Sequence, residues 1–427
     1  MPITVMLGAQ WGDEGKGRIT DALADQADIV ARYNGGDNAG HTITIGAAVF
    51  KLHLLPSGVF RPNIVNVIGN GVVFNPRNFI KERDEVIKGG YAITPQNLVV
   101  SEAAHVILPG HIALDAARES TKDGLGTTQR GIGPTYSDKA ARIGIRAGAM
   151  HDPERFADAV CQHTEAVNKM LVNEYGRAPL DARALAAEYA AAAQELVPYV
   201  ANTFRLLHRA LADNKRVLAE GAQAVLLDID HGTYPFVTSS SATIGGVMTG
   251  LGVPPQQIKR VVGVAKSFCT RVGAGPFVTE LQGDLASRLR GTGANPWDEY
   301  GATTGRARRV GWFDALALCY AVQMNGITEL ALTKLDILTG VENLPICVAY
   351  RHKGQRLDHF PQDSHVLAQC EPIYENLPGW HEDVSQVRTF ADLPQATRDY
   401  IARIEQLGGA RVSMASVGPE REQLVMR

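Results

Sequence analysis

The ten residues that follow the apolar stretch Ile3-Thr4-Val5-Met6-Leu7 combine groups that bind phosphate with groups that move protons: Gly8-Ala9-Gln10-Trp11-Gly12-Asp13-Glu14-Gly15-Lys16-Gly17. Glycines let a chain turn sharply and bring N–H groups against an anion, a following helix adds its positive end, and Lys16 supplies a mobile point charge. The spacing departs from the G-x-x-x-x-G-K-[ST] cradle, because Gln10 stands where the first glycine belongs and Gly17 replaces the hydroxyl residue. Asp13 and Glu14 also put negative charge where a bare polyphosphate would be repelled. A metal ion, or a proton that a carboxylate must remove, reconciles the two, so the conflict points to catalysis.

A second small-residue loop, Gly35-Gly36-Asp37-Asn38-Ala39-Gly40-His41-Thr42, follows another apolar run. A backbone carbonyl there could ligate Mg²⁺, and His41 could stabilise charge developing on a leaving phosphate. A lone histidine is more often a satisfied structural residue, but beside the first loop an acid, a base and a phosphate cradle can share one cleft. His53, His105, His111 and His231 lack such company and read as structural. Thr333-Lys334-Leu335-Asp336 ends a further apolar run. Asp336 can accept both N1–H and N2–H of guanine while the alkyl stem of Lys334 covers the ring; the plain alternative is an aspartate capping a turn. Paired with a phosphate loop, this favours GTP over ATP. Two arginine-bearing loops, Thr270-Arg271-Val272-Gly273-Ala274-Gly275-Pro276 and Gly301-Ala302-Thr303-Thr304-Gly305-Arg306-Ala307-Arg308-Arg309, could fork onto carboxylate or phosphate and close over a small anion. Gly126-Thr127-Thr128-Gln129-Arg130-Gly131-Ile132-Gly133-Pro134 offers hydroxyls and N–H groups to another phosphate.

These loops need a scaffold. Short β-branched runs at 28–33, 63–68, 97–100, 216–219, 260–264 and 329–333 alternate with helical patterns at 153–175, 180–214, 312–324 and 393–407. That alternation predicts an α/β fold: a large, mainly parallel twisted sheet flanked by helices, with lobes inserted around it. With no Pro/Gly/Ser linker and no repeat, residues 1–427 read as one large domain carrying a helical lobe at about 151–214. Ligand sites in such sheets lie beyond the carboxyl ends of the strands, where the glycine-rich loops fall. At 45% hydrophobic and 20% charged, with formal net charge -3, the chain can bury a sizeable core and has no bulk electrostatic appetite for nucleic acid. No apolar run reaches membrane-span length, and the expected location is the cytoplasm. Five cysteines, odd in number and far apart, read as reduced and mostly buried thiols.

In order along the chain, the strings QWGDEGKG, NAGHT, GTT-x-RGIGP (here with Gln129), EGAQAVLLDIDHGTYP, TRVGAGPF, GATTGRARR, TKLD and Ser416-Val417-Gly418-Pro419 closely resemble adenylosuccinate synthetases, and the resemblance runs over essentially the whole chain. It implies a P-loop-related fold, a homodimer, and formation of adenylosuccinate from IMP and L-aspartate while GTP is split to GDP and phosphate with Mg²⁺. It further implies Asp13 as the base and His41 as the group acting at the β–γ bridge, with Asp13 and the Gly40 carbonyl holding the metal. GTP contacts are implied for Gly12, Asp13, Glu14, Gly15, Lys16, Gly17, Arg18, Gly40, His41, Thr42, Arg308, Lys334, Leu335, Asp336, Ser416, Val417 and Gly418. IMP contacts are implied for Asp13, Glu14, Gly15, Lys16, Asn38, Ala39, Gly40, His41, Thr128, Gln223, Thr238 and Arg306, and for Arg142 reaching in from the neighbouring subunit. Aspartate is expected at Val272, Ala302, Thr303, Thr304, Gly305, Arg306, Ala307 and Arg308. The chain departs from the family's usual pattern at Asp37, Gln129, Ala307 and Val417, none of them a proposed catalytic group. The competing readings are a GTP-binding switch, which gives Asp13 no purine to act on, and a paralogue acting on another purine monophosphate.

Overall fold

The computed structural model describes residues 2–45, 48–122, 124, 126–301 and 305–427. Ten strands, Ile3–Gly8 (β1), Ile29–Arg32 (β2), Val65–Ile68 (β3), Leu98–Ser101 (β4), Val200–Ala201 (β5), Val217–Glu220 (β6), Ile258–Lys266 (β7), Glu329–Thr333 (β8), Arg411–Ser416 (β9) and Leu424–Met426 (β10), form one sheet. Its order is β10-β9-β8-β7-β1-β6-β2-β3-β4-β5, parallel everywhere except the β9/β10 edge pair. The expected mainly parallel sheet is therefore present, and each β-branched run of the sequence supplies one of its strands.

Both faces of the sheet are buried, as parallel strands require, and the two-residue side-chain period sorts them. Ile3, Val5 and Leu7 of β1 join Ile29, Ala31, Val217, Ala219, Val261 and Ala265 in one core. Met6 points the other way, into a core with Val30, Leu218, Val262 and Val264 and with Ile19 and Leu23 of the first helix. That helix, Lys16–Ala24 (α1), starts directly behind the first loop. Other helices relevant below are Pro109–Glu119 (α2), Ile132–Ala141 (α3), Pro153–Asn173 (α4), Ala182–Leu196 (α5), Thr203–Ala212 (α6), Ala315–Asn325 (α7) and Gln395–Gly408 (α8).

The single helix expected over 180–214 is two helices. Pro198 lies in a 3-10 turn at Val197–Tyr199, β5 pairs at the sheet edge, and Asn202 caps α6 by accepting from the Arg205 N–H at 2.9 Å. A proline that cannot donate and an asparagine that competes for backbone N–H groups break a long helical pattern for ordinary local reasons. The expected 312–324 helix starts late at Ala315, because Phe313–Asp314 pairs with Asn343–His352 and Asp314 caps α7. A second sheet, in which Asn343–His352 pairs antiparallel with Gln355–Leu357 and Glu371–Pro378, had no forecast in the sequence. α4 and α5 pack Phe156, Val160, Ala186, Tyr189 and Ala193 against a shared core under β4. All five cysteines are free, but only Cys269 and Cys347 are fully buried. Among the described residues no helix is long and apolar enough to cross a membrane.

Candidate active site

β1, β2, β6, β7, β8 and β9 run parallel in one sheet, and the residues singled out by their chemistry cluster at the carboxyl ends of these six strands. The first loop leaves β1, the second leaves β2, Glu220 ends β6 just before Gln223, Lys266 ends β7, Lys334 follows β8, and Ser416 ends β9. Seven described non-glycine residues hold a positive φ, and four of them, Asp13, Arg142, Gln223 and Lys334, are candidate site residues. Such conformations cost energy and persist where the surroundings demand them.

In the first loop, Gly12 (φ 92°), Asp13 (φ 59°) and Gly15 (φ 90°) make the reversal, and no side chain caps the N-terminus of α1, which stays open to an anion. The two carboxylates have separate fates. Glu14 is buried and folds back into its own loop, accepting from the Gly12 N–H at 2.8 Å, the Gln10 N–H at 3.2 Å and Lys16 Nζ at 2.6 Å. Its side chain braces the cradle. Gln10, in the missing glycine's place, exchanges hydrogen bonds with the Lys266 backbone at 2.9 and 3.2 Å, tying the loop to β7. Gly17 has an equally local reason: a Cβ there would lie 2.7 Å from the Cβ of His41, so only glycine lets α1 meet the second loop.

Asp13 is half-buried and forms an ion pair with Arg308 Nε at 2.9 Å. Burial opposes its ionisation, but the charges of Arg308, Lys266 and Lys16 outweigh that penalty and the repulsion of Glu299, holding the carboxyl below its ordinary range. Arg308 also donates through Nη1 to Glu299 at 2.6 Å. Glu299, fully buried, accepts from Lys266 Nζ at 2.5 Å and pairs with Lys334 Nζ at 3.3 Å. Burial disfavours its charge, yet Lys266, Lys334 and Arg308 hold it well below the usual carboxylate range. Lys266 is itself pushed down to about 8 by burial, which the negative charge of Glu299 only partly offsets. Neither Glu299 nor Lys266 stood out in the sequence.

His41 opens the hairpin strand His41–Ile45, with Thr42 next in it, and gives its Nδ1 to Glu220 at 2.6 Å. Glu220 is fully buried and also accepts from Ser57 Oγ at 2.6 Å and the Ser57 N–H at 2.8 Å. Burial opposes its ionisation; His41, Arg32 and Ser57 overcome this and lower its pKa. With Nδ1–H committed to a carboxylate, Nε2 is the ring nitrogen left for a ligand. Glu220 is the main functional residue missed by sequence reasoning, and its signal was an ionisable residue ending an otherwise apolar strand. His53 is less remote than expected, since its Nδ1 meets the Ala39 carbonyl at 2.7 Å and steadies the second loop.

Of the residues expected at IMP, Asn38 lies in that loop and Gln223 adjoins it. Gln223 Nε2 donates to Asn38 Oδ1 at 3.2 Å, Ser240 donates to Gln223 Oε1 at 3.3 Å, and the buried hydroxyl of Thr238 has no hydrogen-bond partner among the described residues. Arg130 reaches the Asp37 carbonyl at 2.8 Å and so ties the Thr128 loop to the second loop. Arg306 donates to the Gly126 carbonyl at 3.3 Å, and a Cβ on Gly126 would lie 3.6 Å from Gly273, beside Val272. Arg306 and Arg308 thus reach the other loops, Gly305 and Ala307 are exposed beside them, and Ala302, Thr303 and Thr304 lie outside the described residues. Arg271 and Arg309 are not ligand forks. Arg271 is buried on Pro276 O and Thr233, and Arg309 pairs with Glu280 and Gly275 O, so both hold loop shape. Arg142 is exposed in a left-handed turn (φ 65°) at the end of α3.

Where guanine is expected, Lys334 and Asp336 follow β8, and burial raises the Asp336 pKa against the pull of Lys334 and Arg18. Arg18 donates to Ser416 Oγ at 2.6 Å and to the carbonyl of Gly418. Leu335 and Val417 are fully buried in the core, so their side chains make no ligand contact, and the Val417 N–H is spent on Gln423 O at 2.9 Å.

The family model described as adenylosuccinate synthetase matches residues 5–425. Adenylosuccinate synthetase of Bifidobacterium adolescentis is 50% identical over 427 residues, covering 100% of this chain and 98% of that protein. That of Moorella thermoacetica is 49% identical over 428 residues, covering 100% and 99%. The fully ligated adenylosuccinate synthetase from Plasmodium falciparum superposes with a TM-score of 0.94 at 39% identity over 100% of both chains. The succinoaminodeoxyadenylate synthetase of cyanophage S-2L, bound to dGMP and dATP, shares the fold at a TM-score of 0.64 and 19% identity, over 100% of this chain and 95% of that one. Sequence match from end to end and a like-for-like fold lead to one conclusion: the chain belongs to the adenylosuccinate synthetase family.

Proposed function

We propose that the chain joins IMP to L-aspartate at the expense of GTP, forming adenylosuccinate, GDP and phosphate, the first committed step from IMP to AMP. The observation that carries this reading is Asp13: an ionised carboxylate in a strained turn at the mouth of a phosphate loop, which a simple nucleotide-binding site does not need. The 6-oxygen of IMP is a lactam oxygen and a very poor leaving group, so an amine cannot displace it directly. Asp13 accepts the N1 proton, negative charge moves to O6, and O6 attacks the γ-phosphate in line, giving 6-phosphoryl-IMP and GDP. The amine of aspartate then adds at C6, loses a proton and expels phosphate. His41, oriented by Glu220, donates through Nε2 toward the β–γ bridge as charge builds there. Lys16 completes the cradle, and Arg306 and Arg308 present guanidinium groups to the aspartate carboxylates.

The Asp13 carboxylate and the Gly40 carbonyl are the proposed donors to Mg²⁺. Hard oxygen donors, few in number, suit an ion that keeps waters and phosphate oxygens in its shell. Bound there, it would neutralise charge on the transferred phosphate. Guanine is assigned to Asp336, Lys334, Ser416 and Gly418, with the IMP phosphate at Asn38, Thr128, Thr238 and a partner copy's arginine at position 142. Family membership, with Arg142 exposed at this turn, supports a homodimer in which the turn docks on a second copy. The helical lobe at about 151–214 is assigned to scaffold and dimer contact.

IMP labelled with heavy oxygen at position 6 tests the route, since the label must appear in the released phosphate. Asp13→Ala should abolish turnover with the fold intact. Unlabelled phosphate, or near-normal turnover in that variant, would overturn the mechanism.

A further inference from the structure

The buried ionic cluster behind the site has a centre that the chemistry above does not use. We propose that Glu299 is a positioning residue that couples the two ends of the reaction, holding Arg308 at the Asp13 and aspartate side and Lys334 at the guanine side; this rests on the reading of the site just given. One carboxylate serves three cations. Its Oε2 accepts from Lys266 Nζ at 2.5 Å and Arg308 Nη1 at 2.6 Å, while Oε1 faces Lys334 Nζ at 3.3 Å. Glu299 is 1% exposed and Lys266 is 0% exposed, so water cannot substitute for either partner.

The main chain fixes the carboxylate in place. The Glu299 N–H donates to Arg290 O at 2.7 Å, and the Arg308 N–H donates to Glu299 O at 2.9 Å. Tyr300 bridges Ala307, and the Gly301 N–H reaches Arg306 O at 2.8 Å. Residues 299–301 and 306–308 therefore pair as a stem, and the Glu299–Arg308 pair is its base. On the other side Lys266 Nζ donates to Thr270 Oγ1 at 2.6 Å, and its backbone is tied to Gln10 of the first loop. The cluster thus joins the first loop, the β7 end, the β8 end and the aspartate stem.

Charge counting gives the consequence. Three cations, Lys266, Arg308 and Lys334, face two anions, Glu299 and Asp13. Without Glu299 the cations repel at close range, Arg308 keeps Asp13 as its only carboxylate, and Lys334 keeps only the neutral Trp297 carbonyl. The guanine and aspartate sites fail together, while the Asn38, Gln223 and Thr238 contacts expected for IMP are left standing.

The test is steady-state kinetics of full-length Glu299→Gln with each substrate varied in turn. KM for GTP and KM for aspartate should each rise about ten- to a hundredfold, the range for losing one charge-assisted contact, with KM for IMP unchanged. In a double-mutant cycle with Lys334→Ala, the pair should raise KM for GTP no more than Lys334→Ala alone, because Glu299 acts through that lysine. Glu299→Asp keeps the charge but shortens the arm, and should show the same split at smaller size; it is the variant measured if the amide does not fold. Unchanged KM values with only a lower melting temperature, equal rises for all three substrates, or additive losses in the cycle would overturn the proposal. Wild-type protein that makes no product from IMP, aspartate and GTP would instead sink the reading of the function.

Discussion

Replacing Glu220 by glutamine probes the His41 device most directly. The carboxylate is fully buried and makes three short contacts, to His41 Nδ1 at 2.6 Å, Ser57 Oγ at 2.6 Å and Ser57 N at 2.8 Å. An amide has one acceptor where the carboxylate has two, so its N–H₂ must face either His41 or a Ser57 donor and leave a buried donor unpaired. A hydrogen bond to a charged group contributes about 1.5–3 kcal/mol, and the part lost on the His41 side is felt mainly when that ring is donating to the leaving phosphate. At about 1.4 kcal/mol per factor of ten, kcat should fall roughly 10- to 100-fold, with KM for IMP and aspartate little changed. The assay is initial-rate adenylosuccinate formation followed by ultraviolet absorbance, with a thermal melt alongside. The melt carries its own sign. The Glu220 pKa is lowered by folding, so its stabilisation is complete above the ordinary carboxylate pKa and is lost as pH falls through the lowered value. Glu220→Gln should therefore be less stable at neutral pH and lose less on acidification. Turnover within twofold of wild type, or a loss confined to KM, would refute the view that Glu220 holds His41 for the phosphoryl step.

Gly17→Ala would place a Cβ 2.7 Å from that of His41, and overpacking of this kind costs roughly 1–3 kcal/mol. A lower melting temperature with at least a tenfold drop in kcat is expected; normal kcat would show that α1 and the second loop need not touch. Asp37 is 0% exposed and its pKa is pushed up to about 6 by burial, against the pull of Asn78, Arg130, Asn75 and Arg32. A raised carboxylate pKa penalises the folded state increasingly as pH rises through that window, so Asp37→Asn should stabilise the protein at pH 7 by about 1–3 kcal/mol and have little effect below pH about 4. Urea unfolding at the two pH values checks this, and an equal effect at both would remove burial of charge as the cause.

Much of the scaffold was readable because its signals are local. β1, β2, β3, β6, β7 and β8 each sit on a β-branched run, and α4 and α8 follow their helical patterns closely. The misplaced pieces depend on partners. β5 is two residues long and exists because β4 offers an edge, and the Asn343–His352 sheet needs strands that meet only after folding. No window of sequence contains such pairings. For the site, residue types foretold which loops would converge but not which side chains would face inward. Leu335 and Val417 lie within matching strings, yet both side chains are core.

Residue order alone determined the chemistry on offer: a flexible anion cradle carrying Lys16 and Asp13, a small-residue loop carrying His41, a guanine-matching Asp336, and a parallel sheet to hold them. Conformational freedom and donor inventories are properties of single residues and short spacings, so they survive without coordinates. Tertiary structure alone decided the division of labour between adjacent carboxylates, with Glu14 spent on its own loop and Asp13 facing Arg308. It also decided that Glu220 would seat His41 and that Glu299 would gather three cations. The physical reason is that an ionised group's role is set by what lies within a few ångströms of it and by how far water is excluded, and residues separated by tens or hundreds of positions supply both.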